Sequence, residues 1–459
     1  MVKLVYATIY TIKQMNSISK TIVDKRTHYI VLFLIVLTVA GLGVLTVLFS
    51  HAASPYSSTE AEKGTLANAA TVIADTSASH GEDVQFGAIP SAALAIHVSN
   101  DQLVNGAGQD IRLLGVDVTG TEDACIQDKG FSWGASNSAE ATAIASWHAN
   151  AVRVPLNEDC WLGINGAPAA YSGLNYQTYI KNWVTALNQA GMYAILDLHW
   201  SAPGTYPANQ QWPMPDEDHT PTFWSQVATT FKSDPAVIYD PFNEPHIGNG
   251  DPTATDWACW RNGCNDTFAS TVNGVANAPV TYTTAGMQQL VTTIRAAGAN
   301  QPIMAGGLNW AGDPCGTKDD DGNGGVCMET ANMPTDPDHQ LAISFHTYSW
   351  TACKTTSCWN TTVQGAKAAN LPLITGELGE IDCSDAFMNT YMNWADQNNV
   401  SYLAWSWEVG YPPDQACISG LNTAGSGNNF FLLSKADGTP STSIPEGANY
   451  KAHLAQINP

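Results

Sequence analysis

Two glutamates in matching settings carry the chemistry that can be read from this sequence. Glu244 follows a carboxamide, Asn243, just past a short apolar run, Val237 to Tyr239, and the chain bends away at Pro245. Glu377 closes a second apolar run in Leu373-Ile-Thr-Gly-Glu-Leu-Gly379. Runs this short, bounded by turn residues, read as buried strands. In a parallel α/β barrel the C-terminal strand ends face the loops where catalysis is done. Two carboxylates on different strand ends are what glycoside hydrolysis uses, one as acid and one as base or nucleophile. A turn after a strand explains Asn-Glu-Pro on its own; the second glutamate in the same context favours chemistry.

Holding both residues on one face requires a ring of strands, and the chain supplies a regular alternation. Ala95 to Val104 and Ile111 to Val116 read as a hairpin entering a first barrel strand, followed by a helix over Ser138 to His148 and a strand over Ala151 to Pro155. Tyr176, Tyr179, Ile180, Trp183, Val184 and Leu187 fall on one helical face, ended by Gly191. Strand Tyr193 to Leu198, helix Phe223 to Phe231 and the strand reaching Phe242 come next. A helix with Met287, Leu290, Val291 and Ile294 on one face precedes strand Ile303 to Gly306. Ala342 to Phe345, Leu373 to Gly376 and Tyr402 to Trp405 complete the strands, and helix Ala448 to Ile457 closes the ring. Eight strands alternating with helices predict an α/β fold, a (β/α)8 TIM barrel over 95–459. No Gly-rich phosphate loop follows the first strand, which weakens a nucleotide-binding reading. The strand ends supply Arg153, His199 with Trp200, Asn243 with Glu244, Trp310, His346 with Tyr348, Glu377 and Trp405.

These residues give the chain a resemblance to glycoside hydrolase family 5, within the retaining (β/α)8 glycosidases. Its carriers are the Arg153 strand, Asp197-Leu-His-Trp200, Phe242-Asn-Glu-Pro245, His346-Thr-Tyr348, Gly376-Glu-Leu-Gly379 and Ala404-Trp-Ser-Trp407. The resemblance implies Glu244 as acid/base and Glu377 as nucleophile. It implies that Asn243 binds a sugar 2-hydroxyl, that His199 and His346 line the −1 subsite, and that Tyr348 hydrogen-bonds the nucleophile. Arg153 would then set a positive charge beside Glu377, and Trp405 would form the sugar platform. Glu380 is the rival nucleophile. The charge of Glu377 is expected to raise the pKa of Glu244 and keep it protonated. No metal or cofactor is required.

The rest of the composition agrees. A net charge of −23, with only 13% charged residues and 15 tryptophans, argues against nucleic acid or an anionic membrane surface as partner and fits a neutral polysaccharide. Residues 1–28 are basic, and Tyr29 to Phe49 is an apolar run long enough to span a membrane. It reads either as an anchor or as a signal peptide over 29–50, with the remainder outside. Residues 51–94 are rich in Ser, Ala and Thr and read as a linker. Within it, Thr59 to Gly64, Ser77 to Gly81 and Val84 to Gly87 resemble about a third of a β-sandwich carbohydrate-binding module, too little to close a sandwich. Ten cysteines in an exported chain form local couples: Cys125 with Cys160, Cys259 with Cys264, Cys315 with Cys327, Cys353 with Cys358, Cys383 with Cys417. Asp319, Asp321, Asn323 and Gly324 match half of a calcium loop, but Thr330 stands where a bidentate Glu is needed, so the stretch reads as a stapled acidic loop.

The expectation is thus an extracellular enzyme, secreted or tethered to the outer membrane face and acting as a monomer. It would cleave a β-1,4-linked polysaccharide, foremost as an endo-β-1,4-glucanase. An endo-β-1,4-mannanase or another β-glycanase shares the same catalytic set. A catalytically dead carbohydrate-binding barrel is the alternative of another class.

Overall fold

Short runs of Val, Ile, Leu and Ala become strands here because both of their faces are covered, one by helices and one by the interior of a closed ring. The computed structural model describes residues 71–74, 82–85, 94–248, 252–269, 271–272, 275–276, 278–312, 314, 328–380, 384–409, 431–441 and 445–458. The chain divides into Met1–Phe86 and Gly87–Pro459. In the first unit Thr71–Ala74 pairs antiparallel with Glu82–Gln85. The stretch expected to be a linker therefore contains a strand pair, and the division falls before residue 94. Tyr29 to Phe49, Cys315, Cys327, Cys383, Cys417 and the Asp319–Gly324 loop lie outside the described residues.

The second unit is a closed barrel of eight parallel strands: β1 Leu114–Asp117, β2 Ala151–Asn157, β3 Tyr193–Trp200, β4 Val237–Asp240, β5 Ile303–Gly306, β6 Leu341–Tyr348, β7 Leu373–Gly379 and β8 Ser401–Trp405. The helices that follow them in turn are α1 Ser138–Ala145, α2 Leu174–Gln189, α3 Thr220–Phe231, α4 Met287–Ala296, α5 Met328–Asn332, α6 Thr356–Ala368, α7 Ala386–Asn398 and α8 Pro445–Ile457. This is the expected (β/α)8 architecture. Its helical faces are those read from the spacing: Tyr176, Ile180, Trp183, Val184 and Leu187 of α2, and Met287, Leu290, Val291 and Ile294 of α4, are buried. Full burial of each such side chain contributes roughly 1.5–3 kcal/mol.

Alternation along the strands builds two cores. Outward residues such as Val152, Val154, Leu196 and Leu198 pack under the helices. Inward residues Ile195, Ile238, Met304, Ile374 and Leu403 fill the lower barrel. Ile96 and Leu103 join that plug from a three-stranded antiparallel sheet, Ile96–Ser99, Gln102–Asn105 and Asp110–Ile111. Ile111 thus belongs to this sheet, and the first barrel strand starts only at Leu114, not at Ile111 as expected. At the other end, β3, β6 and β7 run further than their apolar stretches predict. His199, His346 and Glu377 are accordingly strand residues, held by the barrel's own hydrogen bonds.

Three of the expected disulfides are formed: Cys125–Cys160, Cys259–Cys264 and Cys353–Cys358. Their loops differ in length, with sequence separations of 35, 5 and 5. Loop-closure entropy then makes the first the most stabilising, about 4 kcal/mol against about 2 for either short loop. Chemical denaturation should show the double variant Cys125→Ala/Cys160→Ala losing about twice the stability of Cys353→Ala/Cys358→Ala. Equal losses would mean that loop length does not govern their contribution. Among the described residues no helix is long and apolar enough to cross a membrane.

Candidate active site

Inside the upper barrel the alternation changes character. On β3, Ile195 belongs to the apolar plug, and the next two inward positions are Asp197 and His199. On β2 the inward residue above Ala151 is Arg153. β7 needs an extra device, because Thr375 faces outward to Tyr391 of α7 and two further residues along Glu377 would do the same. The pairing with β6 slips there: Phe345 opposes Thr375, but His346 opposes Glu377. Gly376 is the surplus residue of this bulge, which turns Glu377 inward. A Cβ on Gly376 would lie 2.8 Å from Ser344 Oγ and 2.9 Å from His346 Nε2, so the close approach requires glycine.

Arg153 sits fully buried at the centre of a charged layer. Its Nη1 donates to Glu377 Oε1 (2.9 Å), Nη2 donates to Asn243 Oδ1 (2.7 Å), and Nε donates to Asp240 Oδ2 (3.1 Å). Asp197 Oδ1 lies 3.1 Å and Asp117 Oδ1 3.5 Å from the guanidinium. One cation thus faces three buried aspartates besides Glu377. Burial raises Asp117 and Asp240 well above the ordinary aspartate range and Asp197 to about 7, while Arg153 pulls all three down. Asp197 also accepts from His199 Nδ1 (2.6 Å), which leaves His199 Nε2 facing the Asn243 amide nitrogen at 3.3 Å. Burial lowers His199 to about 4, so its ring is neutral near pH 7.

Glu244 meets Glu377 across His346. His346 Nδ1 is 3.1 Å from Glu244 Oε1 and 3.5 Å from Glu377 Oε2, and donor atoms of the three residues lie within 4.8 Å of one another. Burial lowers His346 to about 3, again a neutral ring. Tyr348 Oη donates to Glu377 Oε2 at 2.5 Å. Burial raises the pKa of Glu244, and Gln211, His199, Arg153 and His246 lower it. Where the sequence argument put the charge of Glu377 first, burial leads. Glu380 points elsewhere: its carboxylate accepts from Ser384 Oγ and from the backbone N–H groups of Phe387 and Met388 at the start of α7. It serves a helix terminus.

A cavity of about 530 Å³ opens above this layer, lined by Asn243, Glu244, Glu377, His199, Tyr348, Trp405 and two further tryptophans. Trp405 stacks on His199, with centroids 5.5 Å apart and rings 16° from parallel. Trp310 stacks on His246 at 4.4 Å and is 43% exposed. Its backbone is left-handed together with both neighbours, φ being 61° at Asn309, 57° at Trp310 and 52° at Ala311. Such a turn costs roughly 1–2 kcal/mol per residue. Trp310 N–H to Pro245 O and His346 N–H to Ala311 O hold it in place. Of the expected residues, Arg153, His346 and Trp200 are not among those lining the cavity. The first two act on it through Glu377, Asn243 and Glu244. Trp200 stands where the pairing of β2 with β3 slips, Leu156 opposing Leu198 but Asn157 opposing Trp200. Sequence reasoning missed Trp350, which stacks on Tyr348, and Gln211, which donates from Nε2 to Glu244 Oε2 at 3.1 Å. Trp350 was findable two residues beyond Tyr348, whereas Gln211 stands in a loop without periodicity.

Among the described residues a second group, Glu158, Asp216 and His219, also brings three potential metal donors together. There Thr220 Oγ1 donates to Glu158 Oε2 (2.6 Å) and the His219 N–H to Asp216 Oδ1 (2.8 Å), tying the carboxylates to the start of α3.

Residues 104–410 match the family described as cellulase, glycosyl hydrolase family 5. The fold is shared with a β-glucanase from Saccharophagus degradans solved with cellotetraose, at 18% identity and a TM-score of 0.52, covering 82% of this chain and 99% of that one. It is shared with the endoglucanase catalytic domain of Thermobifida fusca at 16% identity and a TM-score of 0.52, covering 79% and 97%. A triple mutant of an endo-β-1,4-glucanase from Xanthomonas axonopodis pv. citri has 17% identity and a TM-score of 0.52, covering 75% and 100%. Among curated proteins no sequence matches.

Proposed function

The chain belongs to the cellulase family, glycosyl hydrolase family 5, and is a β-glycoside hydrolase; from that premise we propose that it is a retaining endo-β-1,4-glucanase. The observation that carries this reading is that one carboxylate oxygen of Glu244 and one of Glu377 lie within 4.8 Å of each other beside His346. A retaining pair stands about 5–5.5 Å apart, whereas an inverting pair needs about 6.5–9.5 Å to admit a water.

In the first step Glu377 Oε2 or Oε1 attacks the anomeric carbon while Glu244 gives its proton to the glycosidic oxygen. The bond to the leaving sugar breaks, and a glycosyl ester forms on Glu377. In the second step Glu244, now ionised, takes a proton from water, which attacks the same carbon and frees Glu377. Asn243 has its oxygen on Arg153 and one amide hydrogen toward His199, so the other is free to donate to the 2-hydroxyl. Trp405 offers a flat apolar face for a sugar ring, and the tryptophans at 310 and 350 extend that surface. The three disulfides support a place of work outside the cell, which is part of the proposal.

Incubating the full chain with soluble β-1,4-glucan, mixed-linkage glucan and mannan, and following the first product by proton NMR, tests the reading. Mid-chain scission of the β-1,4-glucan with the β anomer released first is expected. Attack on mannan alone would make it a mannanase, an α anomer first would make it inverting, and no hydrolysis of any would leave a binding barrel.

A further inference from the structure

Between β4 and α4 the chain inserts a hairpin, Asn265–Phe268 paired with Val280–Thr283, that the barrel does not need for closure. The loop after β3, residues 201–219, leans on it. Trp212 packs on Phe268 and Tyr282 with centroids 5.0 and 5.3 Å away. Tyr282 Oη accepts from Met214 N (3.1 Å) and donates to Met214 O (3.0 Å). The loop is fixed from its other side as well, where the His246 N–H donates to Pro213 O at 2.8 Å. Next to Trp212 stands Gln211, whose Nε2 reaches Glu244 Oε2 at 3.1 Å.

We propose that Gln211, held in place by the inserted hairpin, is a positioning residue for Glu244 that selectively favours proton donation to a poor leaving group. The proposal rests on the acid/base reading of Glu244. An amide N–H bonds more strongly to a carboxylate than to a carboxylic acid, so this contact strengthens while Glu244 loses its proton in the first step. It thereby offsets part of the burial that disfavours the charged form. The other groups facing Glu244 are Arg153 from β2, Asp197 and His199 from β3, His346 and Tyr348 from β6, Glu377 from β7 and His246 from its own segment. Gln211 reaches the Glu244 oxygen that His346 does not, and its amide nitrogen can only donate.

The test measures kcat and kcat/KM against pH for the wild-type chain, Gln211→Met, Tyr282→Phe and Glu244→Ala, on a cello-oligosaccharide and on an aryl glycoside whose phenolate leaves unaided. In Gln211→Met the alkaline limb of kcat/KM should move to higher pH, because a donor to the ionised form has gone. On the oligosaccharide kcat should fall roughly tenfold to a hundredfold, the range of one charge-assisted hydrogen bond. On the aryl glycoside it should hold, since the first step needs no acid and the second gains a stronger base. Tyr282→Phe should shift the limb the same way by less. A variant that merely misplaced Glu244 would slow both substrates. An unmoved limb in either folded variant, or equal losses on both substrates, overturns the proposal. If Glu244→Ala keeps an alkaline limb, the acid/base reading itself has failed.

Discussion

Glu377→Ala should lose hydrolysis of every β-glycoside by roughly a millionfold, the scale on which an enzyme without its nucleophile fails. No glycosyl ester can form without that carboxylate, so an aryl glycoside should give no burst of phenolate. Azide should enter the space left by the side chain, attack the anomeric carbon directly and yield the inverted glycosyl azide. Glu244→Ala should behave differently because it lacks only the proton donor and later base, worth roughly 10²–10⁴-fold. A poor leaving group such as another sugar should depart slowly. A phenolate should still be released in a burst, followed by a slow phase in which the ester waits for an activated water. Azide should speed that phase and give the azide of retained configuration. Outcomes the other way round would exchange the two roles. Glu380→Ala should keep the burst, since its carboxylate is spent on the first turn of α7. A lost intermediate in that variant instead would move the nucleophile by three residues.

The barrel was legible because hydrophobic periodicity reports burial, and burial is what distinguishes its strands and helices. The faces of α2 and α4 and the order of eight strands follow from it directly. Asp197 and His199 share a face for the same reason, being two residues apart on β3. The errors arise where periodicity is silent or broken. Trp200 is the sequence neighbour of His199, but it stands beside the slip in the β2–β3 register and does not line the cavity. Glu377 reaches the interior only through the slip at Gly376, which simple alternation would place elsewhere. Ile111 looked like the start of β1 because apolar residues continue across the boundary between the lower sheet and the barrel. Asp117 and Asp240 carry no sequence signal, since an aspartate at a strand end ordinarily faces water. Gln211 acts from a loop whose position depends on a distant partner, Tyr282, whereas Trp350 follows Tyr348 by only two residues.

Arg153→Met should reduce stability by about 3–5 kcal/mol at pH 8, the cost of removing one partner from a buried ion pair. The deficit should shrink as the pH falls toward 5. Asp117, Asp197 and Asp240 face that guanidinium from β1, β3 and β4, and all three are fully buried. Their pKa values are raised by burial above the roughly 3.9 of an unfolded chain, that of Asp197 to about 7. The folded chain therefore keeps protons that the unfolded chain has released. The corresponding stability is fully present below about pH 4 and is lost as the pH rises through about 7. Arg153 holds these values down in the wild type, so the methionine variant should lose more stability over a wider range as the pH rises. His199 and His346 act in the opposite sense. Each is neutral when folded, with values of about 4 and about 3, so its contribution is present above about pH 6.5 and lost on acidification. Arg153 is among the groups that lower both histidines, so the methionine variant should also lose less on acidification, which shrinks the deficit in the same direction. Acid should restore folding but not turnover, because Glu377 and Asn243 still lack the donors that orient them. Urea denaturation at pH 5, 6.5 and 8 reads the first part and kcat at pH 5 the second. A deficit of the same size at all three values would mean that Arg153 acts by filling space, and that its charge does not hold the layer together.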